Sequence, residues 1–508
     1  MFAVFKKLMR FEVLLSLVLI LCFSTLAACS KNVENVDNKT SVTIAIPTTS
    51  ENERGFDPIK GWAVSEHTHD PLIFSTLFKT DKDLNIINDL ATEYSFDNDN
   101  LVLNVTIRDD VEFSDGTKLT SNDVAFTITK IKQAVDSVVN LESITDVVVV
   151  DGTNLEIKLT EQNPNILYTL STIGIVKSEG YDELSFGKNP IGSGMFKLKT
   201  WDIGQSATFA YNEEYYGNTP TIKELHVLFM DEDAATSAAM GESVDVSYTS
   251  SKLSNSKIEG FSLVSVKSND ARGISLPCVD ASQCGNDVTS KIEVRQALNL
   301  CLDKDLLVKN CLEGYGSSAF SVCDNTPWSN SNLKIKQDIE AAEKLLEDAG
   351  LNKDNNGIRC EFKLYYSSND STRQALAYEF SNQALKIGIK VNLIGTNWNE
   401  IYEHQYSDAV LWGWGTNTPE ELCNILKSDG SCNFPQFKSS TVDEYLQKGE
   451  YQLAQEAANF ENASSWVWLC NIDHLYFVRD ELNIGNQSIH PHGHGWSLLN
   501  NISEWSWK

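Results

Sequence analysis

Apolar runs with a period near two and runs with a period near 3.6 divide the chain into two textures. As far as about residue 290, short strand-like runs dominate. Residues 41–47 (SVTIAIP) and 101–107 (LVLNVTI) read as strands, and 147–150 with 155–159 flank Asp151-Gly152, a hairpin signal. Residues 195–201 and 207–212 read as a second pair, and 225–230 as a further strand. Among them, Thr120-Ser121-Asn122-Asp123 offers the capping residues of a helix over 124–134, and 233–240 is a short helix. Beyond residue 290 helices and strands alternate. Residues 291–301, 304–311, 338–349 and 371–386 carry the helical period, and Gly350 ends the third of these. Residues 362–366, 391–394 and 409–414 (AVLWGW) read as strands. The last forty residues mix strand pieces with many Trp, Tyr and His. The pattern predicts an α/β protein.

The first 28 residues stand apart. Lys6, Lys7 and Arg10 precede an apolar run over 13–23, and Leu26-Ala27-Ala28 lead to Cys29. That order predicts a secretory signal, because the run falls short of the roughly 20 residues a membrane-spanning helix needs. Leu-Ala-Ala-Cys resembles the bacterial lipobox, which implies lipidation of Cys29. Residues 29–40 are polar and aperiodic and read as a flexible tether. The expected location is extracytoplasmic, held to the cell membrane by an N-terminal lipid, in a periplasm or on the outer face of the cytoplasmic membrane.

Composition narrows the function classes. The chain has 508 residues, 41 Lys+Arg and 70 Asp+Glu, a formal net charge of −29. A nucleic-acid partner needs clustered cations and is excluded. A hydrophobic content of 42% supports large cores in more than one domain. Eleven cysteines in an exported chain permit disulfides. Cys278/Cys284 and Cys423/Cys432 are pairs close in sequence, a cross-pair between the two regions is equally open, and Cys301 and Cys311 read as buried thiols. No C-x-x-C, G-x-S-x-G, P-loop or H-E-x-x-H spacing occurs, so the chain is read as a non-enzyme without a cofactor.

Four stretches then become specific: 107–124 (IRDDVEFSDGTKLTSNDV), 189–217 (NPIGSGMFKLKTWDIGQSATFAYNEEYYG), 294–316 (VRQALNLCLDKDLLVKNCLEGYG) and 341–359. In order and in wording they resemble motifs of the extracytoplasmic solute-binding proteins of family 5, which serve ABC importers of peptides and nickel. Most of these residues have local readings. Asp115-Gly116 is a turn, Gly192, Gly194 and Gly217 are expected to supply unusual dihedrals, and Arg295 and Asp303 to make local hydrogen bonds. The resemblance implies a two-lobed, periplasmic-binding-protein-like α/β fold with an extra subdomain inserted in lobe one. Lobe one would comprise 41–272, with the insertion at about 61–188, completed by 478–508, and lobe two 273–477. The implied partners are ABC permease subunits with a cytoplasmic ATPase, and the implied state is a monomer. The implied cargo is a short peptide, with nickel or a nickel chelate (metallophore) as the alternative, nickel then being a transported ligand.

Candidate ligand residues follow. Trp412 and Trp414 alternate on one strand and share a side, lining the cleft or forming a core pair. Trp398, close by in sequence, joins them as a candidate. Arg272 offers a bidentate partner for a ligand carboxylate or a hydrogen bond between lobes. Tyr248 follows Val244-Asp245-Val246, where the family often contributes cleft residues. Peptide-binding relatives place an Asp after the strand corresponding to 411–414, to hold the peptide amine; here that position is Thr418, leaving Asn417, Glu420 and Glu421 as the polar groups nearby. For a metal, His490, His492 and His494 alternate in IHPHGHGW, and His67 and His69 form a second alternating pair. The competing reading is a tight turn in which each His bonds backbone.

Overall fold

A computed structural model describes residues 39–64, 68–134, 139–279, 287–493 and 495–508. The signal segment, Cys29, most of the expected tether, His67, Cys284 and His494 lie outside the described residues. Residues Thr40–Lys508 form a unit of their own by contacts.

Two large sheets carry this unit. One has seven strands in the order Phe261–Val266, His474–Arg479, Val246–Thr249, Ser41–Pro47, Glu224–Met230, Ser206–Tyr211 and Phe196–Asp202. The other has six, in the order Gly316–Ser318, Trp466–Ile472, Ala271–Ser275, Ala409–Trp414, Cys360–Ser367 and Ile389–Thr396. A four-stranded antiparallel sheet, Ala91–Phe96, Val102–Ile107, Asn154–Leu159 and Ile144–Val149, packs with the first. Helix Ser371–Lys386 connects the parallel strands Cys360–Ser367 and Ile389–Thr396.

The uninterrupted apolar run AVLWGW is explained by burial of the six-stranded sheet on both faces. Successive side chains of a strand point to opposite sides. Ala409 and Leu411 join one core with Leu298, Leu364 and Phe380, whereas Val410 and Trp412 join another with Phe434, Trp466 and Trp468. The strand Trp466–Ile472 divides in the same way, with Val467 and Leu469 in the first core and its two Trp side chains in the second. The seven-stranded sheet shares its main core with the four-stranded one through Ile44, Ile46, Phe113, Phe196 and Phe209.

Local signals placed most elements to within a residue or two. Thr120 and Asp123 form a capping box on helix Ser121–Gln133. Asp303 caps Lys304–Leu312 through Leu306 N, and Arg295 donates to the carbonyls of Thr289, Ser290 and Ala463. Cys301 is buried and Cys311 half-buried. One expectation is corrected. Gly192, Gly194 and Gly217 do not have positive φ. Two are required by close approach to backbone instead: a Cβ on Gly192 would meet Ile73 O at 2.1 Å and one on Gly194 would meet Leu72 O at 2.4 Å, whereas one on Gly217 would meet only the movable Tyr215 ring at 2.6 Å.

Candidate ligand cleft between the two sheets

The chain passes between the large sheets twice. Residues 266–271 lead from the strand ending at Val266 to the strand beginning at Ala271, and 472–474 lead back. Two further segments are tied to these crossings. Asn269 N donates to His490 O at 2.7 Å and His490 N to Lys267 O at 2.9 Å. Asn417 accepts from Asn269 Nδ2 at 2.9 Å and donates to Ile489 O at 3.0 Å. Gly415 sits against the first crossing with φ +137°, and a Cβ there would lie 1.7 Å from Asn269 O, so only glycine fits.

Asp270 is the buried charge at this junction. Its carboxylate accepts both guanidinium nitrogens of Arg272, lies 2.5 Å from His492 Nδ1, and lies 3.5 Å from His474 Nε2. Burial alone would raise its pKa. Arg272 and His492 override that and hold the carboxyl well below the usual range. Next to it, His490 is buried with Nδ1 3.1 Å from His474 Nδ1 and Nε2 3.1 Å from Gln487 Oε1. Burial, with His474 adding to it, lowers the His490 pKa well below its ordinary value.

Beside the junction lies a cavity of about 1120 Å³. Trp414, Thr416, Thr418, Glu420 and Phe434 line it from the six-stranded side, and Val64, Thr68 and Asn165 from the other. Tyr402 and Tyr406 add to the aromatic wall, and His492 also lines it. At its rim the two sides touch. Asn165 Nδ2 donates to Glu420 Oε2 at 2.9 Å and to Cys423 Sγ at 3.4 Å, and Tyr451 Oη donates to Asn165 Oδ1. Glu420 and Glu421 occupy the first turn of Glu420–Leu426, and Glu421 Oε1 accepts from Gly415 N at 2.9 Å.

The candidate residues divide between cleft and core. Trp414, Glu420 and His492 line the cavity. Trp412 is buried, stacks on Phe434 at 4.4 Å and donates to Ser275 Oγ, so of the strand's two Trp side chains only Trp414 reaches the cavity. Trp398 packs beside Trp412 with the Arg373 guanidinium 5.1 Å from its ring. Tyr248 donates to Met230 O from within the seven-stranded sheet. Arg272 pairs with Asp270, and Asn417 ties Asn269 to Ile489. His69 sits between Trp62 and Trp496 with Nδ1 2.6 Å from Asp70 O. Among the described residues no three His, Cys, Asp or Glu side chains are grouped to hold a metal ion. Asn165, Tyr402 and Tyr406 were not expected: Asn165 precedes helix Ile166–Thr172, Tyr402 sits in the seven-residue helix Trp398–His404 and Tyr406 in the turn after it, with no distinctive spacing.

The profile of the bacterial extracellular solute-binding proteins, family 5, matches residues 85–431, more than half the chain. The chain belongs to that family. It is 24% identical over 422 residues to the oligopeptide-binding protein AppA of Bacillus subtilis, covering 74% of each chain. It is 25% identical over 376 residues to the nickel-binding periplasmic protein of Escherichia coli, covering 68% of this chain and 72% of that one. The structure of NikZ from Campylobacter jejuni in complex with Ni(L-His) superposes with a TM-score of 0.77 at 27% identity, covering 92% of this chain and 99% of that one. The fold is thus the family's two-lobed one, and the protein is an extracytoplasmic solute-binding protein of an ABC importer, not an enzyme. Among the described residues no helix is long and apolar enough to cross a membrane.

The buried histidine gives a pH dependence with a definite sign. Above about pH 6.5 His490 is neutral both folded and unfolded. Below it, the unfolded chain takes a proton that the folded site refuses, so stability falls by up to about 1.4 kcal/mol per pH unit on this account. In urea unfolding between pH 7 and pH 5, His490→Gln is expected to lose stability less steeply than the wild type; equal slopes would show that His490 is not held neutral.

Proposed function

We propose that this solute-binding protein captures short peptides and delivers them to its importer. The observation that carries this reading is the Glu420 carboxylate on the wall of a cleft that Trp414 and Phe434 also line. A carboxylate there can take a peptide α-amino group in the role that Thr418 cannot fill. The cavity, at about 1120 Å³, is slightly larger than most ligand pockets, roughly 300–1,000 Å³. It suits a flexible, multi-atom cargo with aromatic subsites. The lobes are proposed to divide at the two crossings, a few residues before the expected bounds of 272 and 478, with the insertion over about 61–188 in the first lobe. They close about 266–271 and 472–474, and closure is driven by contacts the ligand makes with both sides.

A nickel chelate is the second reading, favoured by His492 on the cavity wall and by the NikZ complex with Ni(L-His). Against it, the His69 and His490 side chains are buried and engaged elsewhere. We also propose that Cys29 carries a lipid anchor, which the order of Lys6 to Cys29 supports. Cys29→Ser is then expected to move the protein from the membrane fraction to the soluble exported fraction, and unchanged membrane partition would overturn it.

Calorimetric titration of the exported domain, stripped of carried-over ligand, separates the two cargoes. A pool of random short peptides is expected to bind saturably, and Glu420→Gln to weaken binding by about 1.5–3 kcal/mol, the range for a hydrogen bond to a charged group, or ten- to a hundredfold. Silence with peptides, together with nickel–histidine binding that is lost in the His490→Ala/His492→Ala/His494→Ala variant, would reverse the assignment.

A further inference from the structure

A second cavity of about 70 Å³ lies in the half built on the six-stranded sheet, and no described residue lines both it and the cleft. One water occupies roughly 10–15 Å³ of such space, so a ligand of a few non-hydrogen atoms fits. Lys304, Asn299, Phe320, Phe460, Trp466 and Trp468 are among the side chains that line it, and its lining includes no Asp or Glu, in a chain that has 70 of them.

Two polar groups in this lining, the Lys304 ammonium and the Trp466 indole N–H, are short of partners. Lys304 is 6% exposed. Its Nζ donates to Ala319 O at 2.8 Å and lies 4.3 Å from the centre of the Phe320 ring. An ammonium has three donors, and no carboxylate among the described residues forms an ion pair with this one. The adjacent Asp303 carboxylate is spent on capping its own helix at Leu306 N. Asp324, whose charge acts on Lys304 from a distance, accepts from Phe320 N and Ser321 N. Trp466 is also 6% exposed, and its Nε1 finds no acceptor among the described residues. Burying a cation without a counter-ion and an N–H without an acceptor is costly, and burial pushes the Lys304 ammonium down to about 8. At neutral pH it remains mostly charged.

We propose that this cavity binds a small planar monocarboxylate, with Lys304 as counter-ion and the Trp466 indole N–H as a second donor. The stacked rings of Trp466 and Trp468, 4.9 Å apart, together with Phe320 and Phe460, present flat apolar walls to the rest of such a ligand. Trp466 opens the strand Trp466–Ile472 that runs to the second crossing, and Asn299 Nδ2 holds its carbonyl at 3.2 Å. Occupancy therefore stabilises this half of the molecule by mass action. The inference stands on the cavity alone and is independent of the peptide reading of the cleft.

Thermal unfolding of the exported domain against acetate and formate, with chloride holding ionic strength constant, tests it. A saturable rise in Tm is expected in the wild type, weakening as pH rises past 8. Lys304→Met is expected to abolish the rise. Trp466→Phe keeps the ring stack and is expected to weaken the apparent affinity several-fold, which decides the matter if Lys304→Met does not fold. No saturable rise in the wild type, an equal rise in either variant, or an equal rise with chloride alone would overturn the proposal.

Discussion

Asp270 is the point at which the two halves of this molecule are held to one another. Its carboxylate, on the first crossing, gathers Arg272 from the strand that follows, His474 from the end of the second crossing and His492 from the C-terminal segment. Breaking a buried ionic group by removing one partner typically costs about 3–5 kcal/mol, because the remaining charges stay buried. Backbone bonds add to this. The 487–493 segment is bonded to the first crossing through Asn269 and to the six-stranded side through Gly415 O, which accepts from His492 N. The junction is therefore a small polar body set between two large apolar cores, and each large sheet can keep its own packing while the connections between them bend.

The cleft follows from that arrangement. The strand Ala409–Trp414 is buried over most of its length and leaves the core at Trp414, and the chain turns at Gly415 into the helix that carries Glu420. Trp414 thus arrives at the cavity on a strand and Tyr402 on a helix, with Tyr406 and Phe434 on turns, whereas on the opposing wall Asn165 reaches across to Glu420 and Tyr451. Rim and junction border the same cavity, one made of side-chain contacts and the other of chain crossings. Contacts at a rim are the ones a closing motion makes and breaks.

Much of the fold was legible because its signals are local. The capping box at Thr120/Asp123, the hairpin at Asp151-Gly152 and the buried run at 409–414 each declare an element within a few residues. The strands Val246–Thr249 and Ala271–Ser275 did not, being only four and five residues long and set by their neighbours. The helices Glu420–Leu426 and Tyr451–Ala457 span only seven residues each, too short for a period to show. The site was less legible than the fold. Trp412 and Trp414 share a face by periodicity, yet the strand leaves the core between them, which periodicity does not record. The histidines at 490 and 492 alternate, yet one turns into His474 and the other onto Asp270, partners more than two hundred residues away in the second case. Arg272 was legible as a charge at a crossing; that its partner is Asp270, two residues before it, depends on burial of both.

A peptide in this cleft is proposed to bring the two lobes together about the Asp270 junction. Small-angle X-ray scattering of the exported domain, first stripped of ligand and then saturated with peptide, tests it most directly. The radius of gyration is expected to fall on peptide addition, and the final profile to match the arrangement in which Asn165 meets Glu420. An unchanged profile under conditions where calorimetry reports peptide bound would contradict it.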